Sequence, residues 1–321
     1  MKWAVIAASV LLLPWLRPRW SLVHSVALAL VGWAALSVFW ATDKAQAIDA
    51  VCKMAFGGIL FLVGFETENL GKFYKYAAIG LVPSSVAAVA QLAGYSMDGA
   101  WWSPAGLFGN PNLMGEFAAL IFVGLIAHGF TDWALLAGVP MLFAGARGAF
   151  AAVFAMGLFN RPRTVVVLAI LIAPLLWLGP RNLASTDSMH ERVAIWSAAA
   201  SSLTPLGHGI GSFPTVMQPY ADQTHRIVQH AHNDALELAI ELGVPGCILA
   251  LALLGMVFSR AGSTERLVLG ALGIEAMFGF PLHAPGAVFV GAVVAGHASR
   301  GWVGIRISEL IRRPSLQSRY A

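Results

Sequence analysis

Long apolar blocks separated by short polar breaks run along nearly the whole chain. Blocks approaching about 20 residues are the pattern left by successive membrane-crossing helices. They predict spans at 3–16, 21–40, 48–65, 73–93, 113–128, 131–145, 148–160, 164–179, 243–258, 265–281 and 285–299. The first of these and the two on either side of Arg147 are short for a full crossing. The expectation is an all-α integral membrane protein with about 11 transmembrane helices, within a range of about 10–12. One polar stretch, 180–242, is far longer than the others. It holds the pattern Val193, Ile195, Trp196, Ala199 and Leu203, so part of it is expected to be helical. The organisation read this way is 1–179 for N-terminal transmembrane helices, 180–242 for a large outward loop, 243–299 for C-terminal transmembrane helices and 300–321 for a basic tail.

Composition supports this picture. Only 11% of residues are charged against 58% hydrophobic, and the mean hydropathy is +0.72. A chain with so few charges lacks the polar surface of a soluble domain. The net charge of +4 does not point to nucleic acid, because the basic residues are scattered between apolar blocks. They sort by side of the membrane instead. With the tail (Arg300, Arg306, Arg312, Arg313, Arg319) in the cytoplasm, the breaks at Arg260/Arg266, Arg161/Arg163, Lys72/Lys75 and Arg17/Arg19 also fall inside. The start of the chain ends its apolar run in Arg17-Pro18-Arg19 without a small-residue cleavage site, so it is read as a retained span. Cys52 and Cys247 each sit within apolar sequence and read as small buried hydrophobes.

Three features then face outward: the loop 94–112, the turn Gly145-Ala146-Arg147-Gly148, and the long segment 180–242. Arg147 admits two readings, a charge facing a cavity or partner and an interfacial arginine reaching to headgroups. Gly207-His208-Gly209-Ile210-Gly211 could cradle phosphate, but it lacks the flanking strand and Lys-Ser/Thr ending of a nucleotide loop, and a flexible turn suffices. His230, His232, Asp234, Glu237 and Glu241 invite a metal reading. Yet the carboxylates follow an Asn233-Asp234 helix start, where the helix dipole alone accounts for them. With no second ligand cluster and no Asp-x-Asp pair evident, the expectation is that no metal is bound. Arg147, Arg181, Arg192 and Arg226 lie outward against the general trend. A phosphate or pyrophosphate substrate suits the planar fork of arginine, with a histidine to take or position a proton.

The segment His232-Asn233-x-x-Leu236-Glu237-x-x-x-Glu241-Leu242-Gly243-Val244-x-Gly246 resembles the signature of the O-antigen ligase family of membrane glycosyltransferases. Four other pieces resemble parts of that family in the expected order. They are Gly106-Leu107-Phe108-Gly109-Asn110-Pro111-Asn112, Ala146-Arg147-Gly148-Ala149, Arg192-x-x-x-Trp196 with Gly207-x-Gly209-x-Gly211-x-Phe213, and Phe280-Pro281-Leu282-His283-x-Pro285. The resemblance covers about Gly106 to Pro285. It implies an inverting, metal-independent transferase without a cofactor in the bacterial inner membrane, its active site facing the periplasm. The donor would be a glycan on polyprenyl pyrophosphate, and the acceptor a hydroxyl of lipid A-core or another molecule. The family's two arginines and histidine map onto Arg147, Arg192 and His232 as catalytic residues. Asn110, Asn112, Gly209, Gly211, Arg226 and Asn233 would bind substrate. The chain departs in reading Ala-Arg-Gly where Ser-Arg-Gly is usual, and in having fewer spans than most members.

O-antigen ligation is the leading expectation. A polymerase or a protein O-oligosaccharyltransferase of the same family would use the same residues. Outside the family, a transporter or flippase also explains many spans with buried charge, although the polar residues gather in one loop and one turn. A membrane metallohydrolase using His230 and His232 is a third reading.

Overall fold

The computed structural model describes residues 20–95, 104–160, 187–220 and 228–302. The predicted spans 3–16 and 164–179, the basic tail beyond residue 302, and Arg181 and Arg226 lie outside them. Every regular element among the described residues is helical: α1 (Leu22–Ser37), α2 (Lys44–Glu66), α3 (Leu70–Leu92), α4 (Pro111–Ala127), α5 (Thr131–Ala144), α6 (Arg147–Asn160), α7 (Asp187–Ser201), α8 (Phe213–Met217), α9 (Asp234–Arg260), α10 (Ser263–Phe278) and α11 (Pro285–Ala298). Three of them, α2, α3 and α9, are long and apolar enough to cross a membrane, and α1, α4 and α5 are shorter apolar helices.

Local sequence sets several boundaries. Asp43 starts α2 by accepting from the Ala45 and Gln46 amides, and Asn69 starts α3 by accepting from Lys72. Asn110 does the same for α4 through the Asn112 amide, with Pro111 preset for the first turn. Gly145, left-handed at φ 55, closes α5 two residues before Arg147 opens α6.

Helix α4 is the centre of the main core. It packs against α3, α5, α6, α10 and α11, and its buried residues cover much of its circumference. Helix α2 lies against α11, and α9 against α1. A second, smaller core gathers Ile195, Ala198, Ala199, Phe213, Met217, Val228, Ala231 and Ile240 from the long polar segment. Of the amphipathic pattern expected there, Ile195, Trp196 and Ala199 face this core, but Val193 and Leu203 are exposed.

Helix α9 bends at Gly243, whose φ of 61 and ψ of −161 are not helical. The bend frees carbonyls of the preceding turn, and a buried free carbonyl is costly. They are satisfied from outside the helix. The His208 amide donates to Ile240 (2.8 Å), the Gly209 amide to Glu241 (2.9 Å) and the Trp33 indole to Leu242 (2.9 Å). A side chain on Gly243 or Gly207 would collide with the backbone of the other strand of this crossing. The Gly-x-Gly-x-Gly stretch is therefore a clasp around the bend, which corrects its reading as a flexible turn.

The loop before α4 is fixed from α3. Gln91 accepts from the Ala105 (2.7 Å) and Gly106 (2.9 Å) amides and donates to the Gly106 carbonyl (3.2 Å), and all of these groups are buried. Gln91→Leu leaves them without partners and is expected to cost about 2 kcal/mol, read as a lowered melting temperature of the detergent-solubilised protein. An unchanged melt would show that this loop contributes nothing to stability.

Candidate active site

The site forms where the start of α9 meets α7, the first turns of α4 and the 281–283 turn between α10 and α11. Asn233 caps α9, its side chain accepting from the Leu236 amide at 3.0 Å. The chain before the cap is tightly turned, and His232 has φ 51, the single non-glycine residue with positive φ among the described residues. A left-handed residue of this size is uncommon outside functional sites. The His232 ring meets Phe280 edge-on, with centroids 5.1 Å apart. On the other side of the turn, the Trp196 indole donates to the Ala231 carbonyl at 2.8 Å. This bond fastens α7 beside His232, and Arg192 lies one helical turn before Trp196 on the same face.

Arg192 is half-buried, and the charges acting on it come from Arg147, Glu116 and Glu191. Burial first, and then the neighbouring Arg147, lower its pKa, while the two glutamates favour its charge. Two guanidinium groups from α6 and α7 are thus within electrostatic reach of one another. The carboxyls of Glu116 and Asp234 are near enough to repel each other, which puts α4 near the start of α9. Asn112 lies one turn before Glu116, so the Asn110-Pro111-Asn112 segment leads into the same region.

Beneath His232 is a network not anticipated from sequence. Asp234 and Glu237 are almost completely buried. Asp234 accepts from the Leu282 amide (2.9 Å) and lies 3.1 Å from His283 Nδ1. Glu237 Oε1 is 3.0 Å from His230 Nδ1 and 3.2 Å from His283 Nε2, and its Oε2 accepts from the Ala231 amide at 2.8 Å. His230 stacks on Phe280 at 4.6 Å. These carboxylates were expected to need no partner beyond the helix dipole; they hold two histidines instead. Burial disfavours charge on His283, but its bond to Asp234 and the charges of Glu237, Asp234 and Glu241 push its pKa up to about 9.

The predicted site residues divide clearly. Arg147 and Arg192 act on each other, Arg192 lies one turn from the Trp196 that bonds beside His232, Asn233 follows His232 as the α9 cap, and Asn112 lies one turn from Glu116. Asn110 serves as the α4 cap. Gly209 donates its amide to Glu241, and Gly211 packs on the Gln46 backbone, so both belong to the clasp. Arg226 lies outside the described residues. Asp234, Glu237 and His283 were quoted from sequence without a role at the site, and Glu116 was not singled out.

Glu116 and Glu275 qualify the expectation that polar groups would gather outside the helices. Both are buried within α4 and α10, and Glu116 Oε2 and both oxygens of Glu275 have no hydrogen-bond partner among the described residues.

The chain matches no known protein-family model, and no curated protein matches it.

Proposed function

We propose that the chain is a multi-pass glycosyltransferase of the bacterial inner membrane, with about 11 spans and its site on the periplasmic face. It would move a glycan from polyprenyl pyrophosphate to an acceptor hydroxyl, with O-antigen ligation to lipid A-core as the leading case. The observation that carries this reading is the pairing of Arg147 with Arg192 beside His232. Two guanidinium groups from different helices repel each other, and a dianion between them removes the repulsion. A pyrophosphate attached to a lipid is such a dianion, and helices able to cross a membrane supply a surface for its tail.

In the proposed reaction the acceptor oxygen attacks the anomeric carbon from the face opposite the pyrophosphate. The new C–O bond forms as the bond to the pyrophosphate oxygen breaks, which inverts the centre. The hydroxyl proton passes to His232, and the electron pair leaves on pyrophosphate between Arg147 and Arg192. Arg147→Ala is expected to lower transfer by about 10²–10³-fold, the size typical of losing a charge-stabilising donor. Assay of purified protein with a lipid-linked glycan measures it, and undiminished turnover would remove Arg147 from the site.

A surface-glycan gel of a deletion strain separates the members of this class. Loss of all long chains with accumulation of lipid-linked polymer indicates a ligase, and a single-repeat product indicates a polymerase. The buried carboxyls of Glu116 and Glu275, together with the bend in α9, favour a second reading as a transporter or flippase. Proteoliposomes that move solute without consuming lipid-linked glycan would establish that reading instead.

A further inference from the structure

We propose that His230, Glu237 and His283 bind one divalent metal ion of the zinc class, at the base of the turn that presents His232. This departs from the expectation of no metal, which rested on finding no second group of ligands. That group is His283, brought from the turn between α10 and α11 to the start of α9.

Four observations support it. One donor atom from each of the three residues lies within 4.8 Å of the others. The spacings of 3.0 Å and 3.2 Å to Glu237 Oε1 are close to the about 3.3 Å separating donors in a tetrahedron with bonds of about 2.0–2.1 Å. Next, the outer partners are those a metal site requires. With His283 Nδ1–H donating to Asp234, Nε2 is the nitrogen that faces Glu237 and can offer a lone pair to a metal. The Ala231 amide occupies Glu237 Oε2 and leaves Oε1 to the histidines.

Burial is the third point. The Asp234 and Glu237 side chains are only 2% and 3% exposed, and their oxygens lie against the two histidines. Fourth, the His230 and His283 side chains are 31% and 33% exposed, which gives an ion an entry path and a water position as fourth ligand. Two nitrogens and one carboxylate oxygen suit zinc better than magnesium or calcium.

Such an ion would be structural. It would join the turn of 281–283 to the start of α9 and hold His232 in its left-handed conformation without touching the reacting atoms. The inference does not depend on glycan transfer, because bound metal can be counted whatever the chain catalyses.

The test uses full-length protein without a histidine tag, purified in detergent from zinc-supplemented cells and analysed by elemental mass spectrometry. One zinc per chain is expected, falling to background in Glu237→Gln and His283→Ala. Asp234→Asn keeps all three ligands and should weaken zinc binding by about 10–100-fold. Cobalt titration of the metal-stripped wild type gives a readout independent of variant folding, with a visible absorption band expected. Background zinc and no cobalt band in the wild type would overturn the proposal and leave two protonated histidines as the balancing charges. Zinc retained in both ligand variants would overturn the assignment to these residues.

Discussion

Replacing His232 by asparagine is expected to reduce glycan transfer by about 10²–10⁴-fold, the usual worth of a positioned general base. Asparagine is the informative choice because it tolerates the left-handed region, where His232 sits at φ 51. Alanine would add a backbone penalty to the loss of the imidazole, which blurs the result. The neighbours that define the turn are independent of the ring. Trp196 bonds the Ala231 carbonyl, Glu237 bonds the Ala231 amide, and Asn233 caps α9. His232→Asn should therefore express, insert and elute like the wild type while failing to transfer. Comparison of the two proteins on one lipid-linked donor measures this. Activity within about tenfold of wild type is below the effect expected of a general base, and would mean that His232 does not handle the proton.

The apolar blocks made the helices legible because a helix between polar breaks needs only length and hydrophobicity to be recognised. What they could not reveal was where a helix continues. The helix start at Asn233-Asp234 was legible and α9 begins there, but its continuation through the bend at Gly243 into the apolar span was not. The carbonyls freed at the bend find their partners in Trp33 and His208, far away in sequence. Distance along the chain also concealed the His283 network. Asp234 and Glu237 have the spacing of ordinary first-turn carboxylates, and nothing local shows that His283 closes on them.

Two other features were hidden for a similar reason. Gly209 and Gly211 occur in a pattern that fits phosphate binding as well as tight packing, and their close packing on Ala41 and Gln46 comes from chain distant in sequence. Glu116 and Glu275 are single carboxyls inside apolar runs, so hydropathy averaged over a span hides them. Arg147, Arg192 and His232 were picked out in the sequence as parts of three separate motifs. That α7 leans on the His232 turn through Trp196 was not.

The largest effect on folding is expected at the contact between α2 and α11. Gly64 and Gly296 lie where the two helices touch backbone to backbone. A methyl group on Gly64 would overlap the Val293 carbonyl, and one on Gly296 would overlap the Phe61 carbonyl. Neither obstacle is a side chain that could rotate away, so the helices themselves would have to separate. Gly64→Ala is expected to destabilise by about 3 kcal/mol or more, the upper end for overpacking. Gly58→Ala is the matched control, since it lies in the same helix and its added methyl meets nothing within 4 Å. Alanine there should be neutral or stabilising by up to about 1 kcal/mol through helix propensity. Fluorescence-detected size exclusion after a heat step compares the pair: Gly64→Ala should lose its monodisperse peak at temperatures that Gly58→Ala survives. Equal survival would show that the α2–α11 contact is not close-packed. The consequence reaches the site, because α11 starts at Pro285, two residues after His283. A shift of α11 away from α2 would draw the 281–283 turn off Asp234 and Glu237, so Gly64→Ala should also lose the function of a site it does not touch.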